Sequence, residues 1–187
     1  MKKYLLPSLK LTLVFIIICA VFYPLFIAGV AKLAPGAGKG ETLSVNGKVV
    51  GYANIGQKFT ADKYFNSRPS AVDYNAAGSA GSNKGPSNPD YLKQVQARID
   101  SFLVHNPTVK KEEIPSELVT ASGSGLDPDV SPDGAMVQVA RIAKTRNLSL
   151  EKVTALVNRQ IQKPLLNLMG PPSVNVLKLN IELDKIK

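Results

Sequence analysis

The sequence predicts an α+β protein: a single N-terminal transmembrane helix followed by one small sheet-plus-helices domain. Three observations predict it. Leu11 to Ala31 is an uninterrupted apolar run without a charge, an Asn46-Gly47 pair sits between two strand-prone segments, and three capped, amphipathic helical segments precede an alternating C-terminal stretch. The chain has 187 residues, a formal net charge of +9 and a mean hydropathy of +0.01, high for so many Gly and Pro residues. Without residues 1–31, 156 residues remain with 20 basic and 14 acidic side chains, long enough to bury a core unaided.

Twenty-one helical residues span ~32 Å, close to the ~30 Å hydrocarbon core of a bilayer. Pro24 removes one helix donor and is expected to distort the span, which membrane helices tolerate. A cleaved signal peptide is the competing reading, with basic Lys2, Lys3 and Lys10 in front and a small-residue Gly29-Val30-Ala31 site behind. The apolar run exceeds the usual ~7–15 residues of such a segment, so the span reads as an anchor. Residues 1–10 then form a cytoplasmic tail and 11–31 the single-pass transmembrane helix. A linker covers 32–41 and an extracytoplasmic domain 42–187. The orientation rests on the slight excess of lysine on the N-terminal side. The expected location is the plasma (inner) membrane.

Asn46-Gly47 predicts a tight hairpin, since a primed turn needs positive φ at both positions. In residues 65–90, 19 of 26 are Gly, Ala, Ser, Asn or Pro, the composition of a linker. Phe65, Arg68, Val72 and Tyr74 supply anchors for an ordered loop, and the loop is expected to pack through Phe65, Arg68 and Gly81-Ser82-Asn83 against Ser122–Pro128. Asn88 caps a helix with Pro89 in first position, and Leu92, Val95, Ile99 and Phe102 fall on one face. Ser131 caps a second helix carrying Met136, Val139, Ala140 and Ala143, stopped by Asn147. Ser149 caps a third, carrying Val153, Leu156, Val157 and Ile161. Pro164 and Gly170-Pro171-Pro172 bound a turn, and alternation of Leu177, Leu179, Ile181 and Leu183 with polar residues predicts a half-buried C-terminal strand.

Catalytic chemistry is sparse. One Cys (Cys19) and one His (His105), far apart in sequence, exclude an internal disulfide and leave too few ligands for a structural zinc site, so no metal site is expected; no tightly bound cofactor is expected either. Absence of Trp and 6% aromatic content argue against a nucleic-acid stacking platform. Gly78–Gly85 fails the phosphate-loop pattern at its second Gly and its Ser/Thr. Asp127, Asp129 and Ser131 begin like a calcium loop, but Pro132 and Gln138 stand where Gly and Glu are needed. A serine hydrolase built on Ser122 or Ser124 would have only His105 to recruit. Ser122-Gly123-Ser124-Gly125 reads either as a backbone cradle for an anion or as a bend forced by close packing.

Several segments together resemble one family. They are Tyr64–Ser70 (YFNSRPS), Gly81–Asn83, Val119–Pro128 (VTASGSGLDP) and Val174–Asn180 (VNVLKLN), with the single span, Ile55–Gln57 and the Gln138–Ala143 segment. They resemble the C subunit of Kdp, the bacterial high-affinity ATP-driven potassium pump, over nearly the whole chain. The chain departs from the family pattern at Asp129, where His is usual, and at Gly170-Pro171-Pro172-Ser173, where the usual run is Gly-Glu-Pro-Arg. The resemblance implies a non-catalytic accessory subunit. It would stabilise a potassium-translocating A subunit and an ATP-hydrolysing B subunit, beside a small single-span F subunit, with potassium handled by the partner. It also implies a catalytic-chaperone role in raising the B subunit's affinity for ATP. Partner or nucleotide contact would fall on Phe65, Arg68, Ser70, Gly81, Ser82, Asn83, Ser122, Gly123, Ser124, Gly125, Asp127 and Gln138; no catalytic residue is expected. The alternatives are a membrane-anchored structural or adhesion protein and the serine hydrolase.

Overall fold

A computed structural model describes residues 2–164 and 166–186. The chain divides into two compact units, residues 1–42 and 43–187. The first is helical: α1 (Lys2–Ile17), a π-helical turn (Ile18–Phe22) and α2 (Tyr23–Ala31). Lys3–Ala31 is long and apolar enough to cross a membrane. The distortion expected at Pro24 takes the form of the π turn. The Tyr23 N–H reaches back to the Ile18 carbonyl, and Pro24 then enters α2 in the first turn, where its missing donor costs nothing.

The second unit opens with the hairpin β1 (Thr42–Val45) and β2 (Lys48–Tyr52), turned by Asn46 and Gly47 at φ 51° and 76°, as the primed turn requires. A long irregular segment leads to α3 (Pro89–His105), capped by the Asn88 side chain, which accepts from the Asp90 and Tyr91 N–H groups. Short 3-10 turns at Lys111–Glu113 and Ser116–Leu118 precede β3 (Asp129–Val130). Then come α4 (Pro132–Met136), α5 (Val139–Arg146), α6 (Leu150–Gln160), β4 (Ile161–Gln162), β5 (Ser173–Asn175) and α7 (Val176–Leu183). The expected single sheet is two small sheets, the β1–β2 hairpin and a three-stranded antiparallel sheet ordered β3-β5-β4.

The core lies between α4–α7 and the second sheet. Ile142, Val153, Leu156, Val157, Val174, Leu179 and Leu183 meet there, each worth roughly 1.5–3 kcal/mol of burial. Phe65 joins them from the long irregular segment and is completely buried. The expected second helix is two helices, because Gln138 is diverted. Its side-chain amide donates to the Gly134 carbonyl (2.8 Å), the group its own backbone N–H would use in a continuous helix, and that N–H turns to the Ala135 carbonyl instead (3.1 Å).

The predicted C-terminal strand is a helix. Asn175 caps α7, its side chain accepting from the Lys178 N–H at 3.0 Å. Val176, Leu179, Asn180 and Leu183 then face inward at helical spacing. Over eight residues the sequence satisfies both periods. The cap and the inward Asn180 settle the conformation as helix.

Candidate functional site

The irregular segment 53–83 is held in place by side chains reaching its backbone. Asn180 grips Phe65 as a neighbouring strand would: the Phe65 N–H donates to Asn180 Oδ1 (2.9 Å) and Asn180 Nδ2 donates to the Phe65 carbonyl (3.0 Å). Gln138 does the same one residue on, accepting from the Asn66 N–H (2.8 Å) and donating to its carbonyl (3.2 Å). Arg141 uses all five donors beside this pair. Nε meets Asn106 Oδ1 (3.0 Å). One terminal nitrogen meets the carbonyls of Asp62 and Tyr64, and the other meets Asn66 Oδ1 (2.8 Å) and Gln138 Oε1 (2.9 Å). Burial lowers the Arg141 pKa from its usual value, with Asp62 opposing. Phe65 and Gln138, expected on a contact surface, are therefore interior. Asn180 and Arg141 fall within the quoted Val174–Asn180 and Gln138–Ala143 segments, but nothing local to them, or to Asn106, signals these contacts, which span chain separations of 35 to 115 residues.

Beyond Asn66 the segment turns outward. Arg68 pairs with Asp127 at 3.0 Å, both about three-quarters buried, and its Nε is buried without a hydrogen-bond partner among the described residues. Ser70 Oγ accepts from the N–H groups of Val72 (3.2 Å) and Tyr74 (2.9 Å), forming a tight turn, and the Tyr74 hydroxyl donates to the Arg68 carbonyl. Burial pushes the Tyr74 phenol above its usual value.

The opposing strip is Ser122–Asp127. The Ser122 N–H donates to the Pro69 carbonyl (3.0 Å), and Ser79 Oγ donates to the Ser124 carbonyl (2.9 Å). Gly81 lies so close to Gly123 that a Cβ would stand 2.9 Å from its carbonyl oxygen. Gly125 requires glycine twice, with φ of 69° and the Val72 side chain and Ala80 carbonyl where a Cβ would go. On the far side Gly56 donates to the Leu126 carbonyl at 2.8 Å, and a Cβ there would strike the Asp127 carbonyl. Arg68, Ser70, Gly81 and Ser122–Asp127 thus form one knitted surface. Ser82 is half-buried beside it, and Asn83 is exposed at φ 51°.

Of the two readings of Ser122–Gly125, the geometry is that of a packed bend. Ser122 Oγ is buried and accepts from the Gly125 N–H (3.0 Å), while Ser124 Oγ accepts from Leu126 (3.1 Å). His105 Nδ1 stands 2.8 Å from Asp62 at the end of α3. Among the described residues no three His, Cys, Asp or Glu side chains are grouped to hold a metal ion. Asp129 accepts from Asn175 Nδ2 (3.2 Å) and Ser173 Oγ (3.4 Å), yet burial raises its carboxyl above the usual range.

Comparison with known proteins is consistent along the chain. The family model KdpC, described as "K+-transporting ATPase, c chain", matches residues 5–185. A protein of Flavobacterium psychrophilum named potassium-transporting ATPase KdpC subunit is 60% identical over 185 residues, covering 99% of this chain and 100% of that protein. Its Flavobacterium johnsoniae namesake is 61% identical over the same coverage, and one from Bacteroides fragilis is 52% identical over 188 residues, 99% and 98% of the two chains.

Proposed function

The chain belongs to the KdpC family, the c chain of the K+-transporting ATPase, and on that premise we propose that it caps the outer, potassium-entry face of the pump. As a member it is a subunit of the potassium-transporting ATPase complex and not itself catalytic. The adhesion-protein and hydrolase readings have no support beside this match. The finer assignment is ours: an N-terminus in the cytoplasm and residues 42–187 outside it. The domain contacts the potassium-translocating A subunit and, through the membrane, the ATP-hydrolysing B and single-span F subunits. Any effect on the B subunit's affinity for ATP is transmitted through the complex rather than made by direct nucleotide contact.

The observation that carries this reading is a division of labour. One candidate span, uncharged over residues 11–31, cannot enclose a pore, and the interior polar side chains Asn180, Gln138 and Arg141 bond to the domain's own backbone and side chains. The accessible members of the Ser122–Asp127 strip, Gly123, Ser124 and Asp127, with Arg68, Ser70 and Gly81, supply the partner surface.

Protease protection of residues 43–187 in sealed vesicles of known sidedness tests the orientation. Digestion from the outer side only is expected, and digestion from the cytoplasmic side only would overturn the cap. Arg68→Ala tests the surface. It should weaken co-purification with the A and B subunits while the isolated chain stays folded, and undiminished assembly would remove Arg68 from the interface.

A further inference from the structure

We propose that the connection between β4 and β5 is a membrane-interfacial loop, placing Leu166, Leu168 and Met169 among lipid acyl chains with the basic side chains of Arg159 and Lys163 near its base. Leu166, Leu168 and Met169 are 74%, 86% and 64% exposed, three large apolar side chains within four residues. A second, less exposed group lies on the β1–β2 hairpin, where Val49, Val50 and Tyr52 are 61%, 39% and 47% exposed, whereas Leu92, Val104 and Leu150 stand singly. An isolated exposed leucine is ordinary, whereas a contiguous group at a loop tip marks a surface meant to leave water.

The loop is rooted, not loose. Ile161 and Gln162 pair antiparallel with Val174 and Ser173, so the tip projects from a paired base. Its turn holds Leu166 and Asn167 both at φ 56°, and Gly170 at 85°. Between Lys152 and Ile181 there is no acidic residue, while Lys152, Arg159 and Lys163 are all exposed. An apolar tip above basic side chains is the pairing by which soluble segments enter the headgroup region of anionic bilayers. The occupant argued here is lipid rather than another subunit on two grounds. The charge is complementary to anionic headgroups, and a domain covalently continuous with a membrane-spanning helix meets a bilayer at high effective concentration. The inference holds whichever side of the membrane the domain occupies.

The test uses the full chain, assembled into the pump in lipid nanodiscs that leave both faces open. In a Cys19→Ser background, Leu168→Cys carries a nitrobenzoxadiazole label, and Val104→Cys on α3 serves as control. The discs contain phosphatidylcholine and phosphatidylglycerol with doxyl-labelled phosphatidylcholine as the lipid-side quencher, and iodide as the aqueous one. The expected result is quenching of the Leu168→Cys label by the doxyl lipid and not by iodide, with the reverse at Val104→Cys. Lys163→Gln should reduce the lipid-quenched ratio about fivefold in discs with phosphatidylglycerol and leave it unchanged in phosphatidylcholine alone. Met169→Cys, expected to behave like Leu168→Cys, guards against a defect peculiar to one substitution. Quenching of the tip label by iodide would overturn the proposal, placing the tip in water. Protection from both quenchers would overturn it in favour of a partner subunit's surface.

Discussion

Two carboxamides and one guanidinium carry more of this fold than their side-chain class suggests. Asn180 and Gln138 each supply a donor and an acceptor to one residue of an otherwise unpaired segment, so Phe65 can be buried completely without orphaning its own peptide groups. Asn180→Ala leaves a buried N–H and a buried carbonyl unpaired and should cost about 2–6 kcal/mol, from ~1–3 for each abandoned group. Urea unfolding of the detergent-solubilised chain would read this as a lowered midpoint, and a loss below ~1 kcal/mol would mean that water replaces the amide. Asp129 makes the opposite prediction. Burial raises its carboxyl above the usual range, so the folded state holds the proton more tightly than the unfolded chain. Its contribution is fully favourable below the ordinary carboxylate range and is lost as pH rises through the raised value. Asp129→Asn should therefore melt higher than the parent at neutral pH, with the difference shrinking as pH falls below the ordinary carboxylate range. A melting difference independent of pH would show that packing, not charge, controls the site. None of these roles was legible in local sequence. Asn180 and Gln138 resemble any polar residue on an amphipathic helix until the segment 115 or 72 residues away is brought beside them.

At the scale of elements, legibility followed how local the cause is. The Asn46-Gly47 hairpin and the caps at Asn88, Ser131 and Ser149 were readable because each is settled within four residues. The second sheet was not, since its strands are only two or three residues long and exist through pairing of Asp129–Val130 and Ile161–Gln162 with Ser173–Asn175. The alternation read over Leu177–Leu183 was genuine but ambiguous, and α7 formed because Asn175 caps it. The Gly/Ser-rich segment 65–83 was readable as an ordered loop from its anchors, and its glycines explain how it packs so closely. Gly125→Ala places a methyl group where Val72 and the Ala80 carbonyl already stand, at a positive φ that alanine resists. Hydrogen exchange should then accelerate across residues 70–81 while α6, in the core, is unchanged. Equal acceleration in α6 would mean that loop and core open as one unit. By contrast α3, which has no buried residue, should exchange faster than α5–α7 in the unmodified chain.

At the scale of the whole molecule, two compact units with separate physical tasks share one chain. Every core residue of the domain lies at position 53 or beyond, and none of the side chains in the candidate span is buried within the protein. The domain's stability should therefore be indifferent to the identity of the span, while membrane residence should depend only on its length and lack of charge. Replacing residues 11–31 with leucine and alanine at equal length should leave the domain's unfolding free energy unchanged within ~0.5 kcal/mol, as for sites that share no partners. A single Ile17→Lys in the native span introduces a charge that costs about 2.5–3.5 kcal/mol at a helix centre and should lower recovery in the membrane fraction. The two substitutions together separate tether from scaffold. If the leucine–alanine span lowered the domain's melting temperature, the units would be energetically coupled. If that span kept the domain stable but abolished co-purification with the other pump subunits, the native helix would be a recognition surface as well as an anchor, with Cys19, Ala20, Ala28 and Gly29 the small residues through which helices pack closely in lipid.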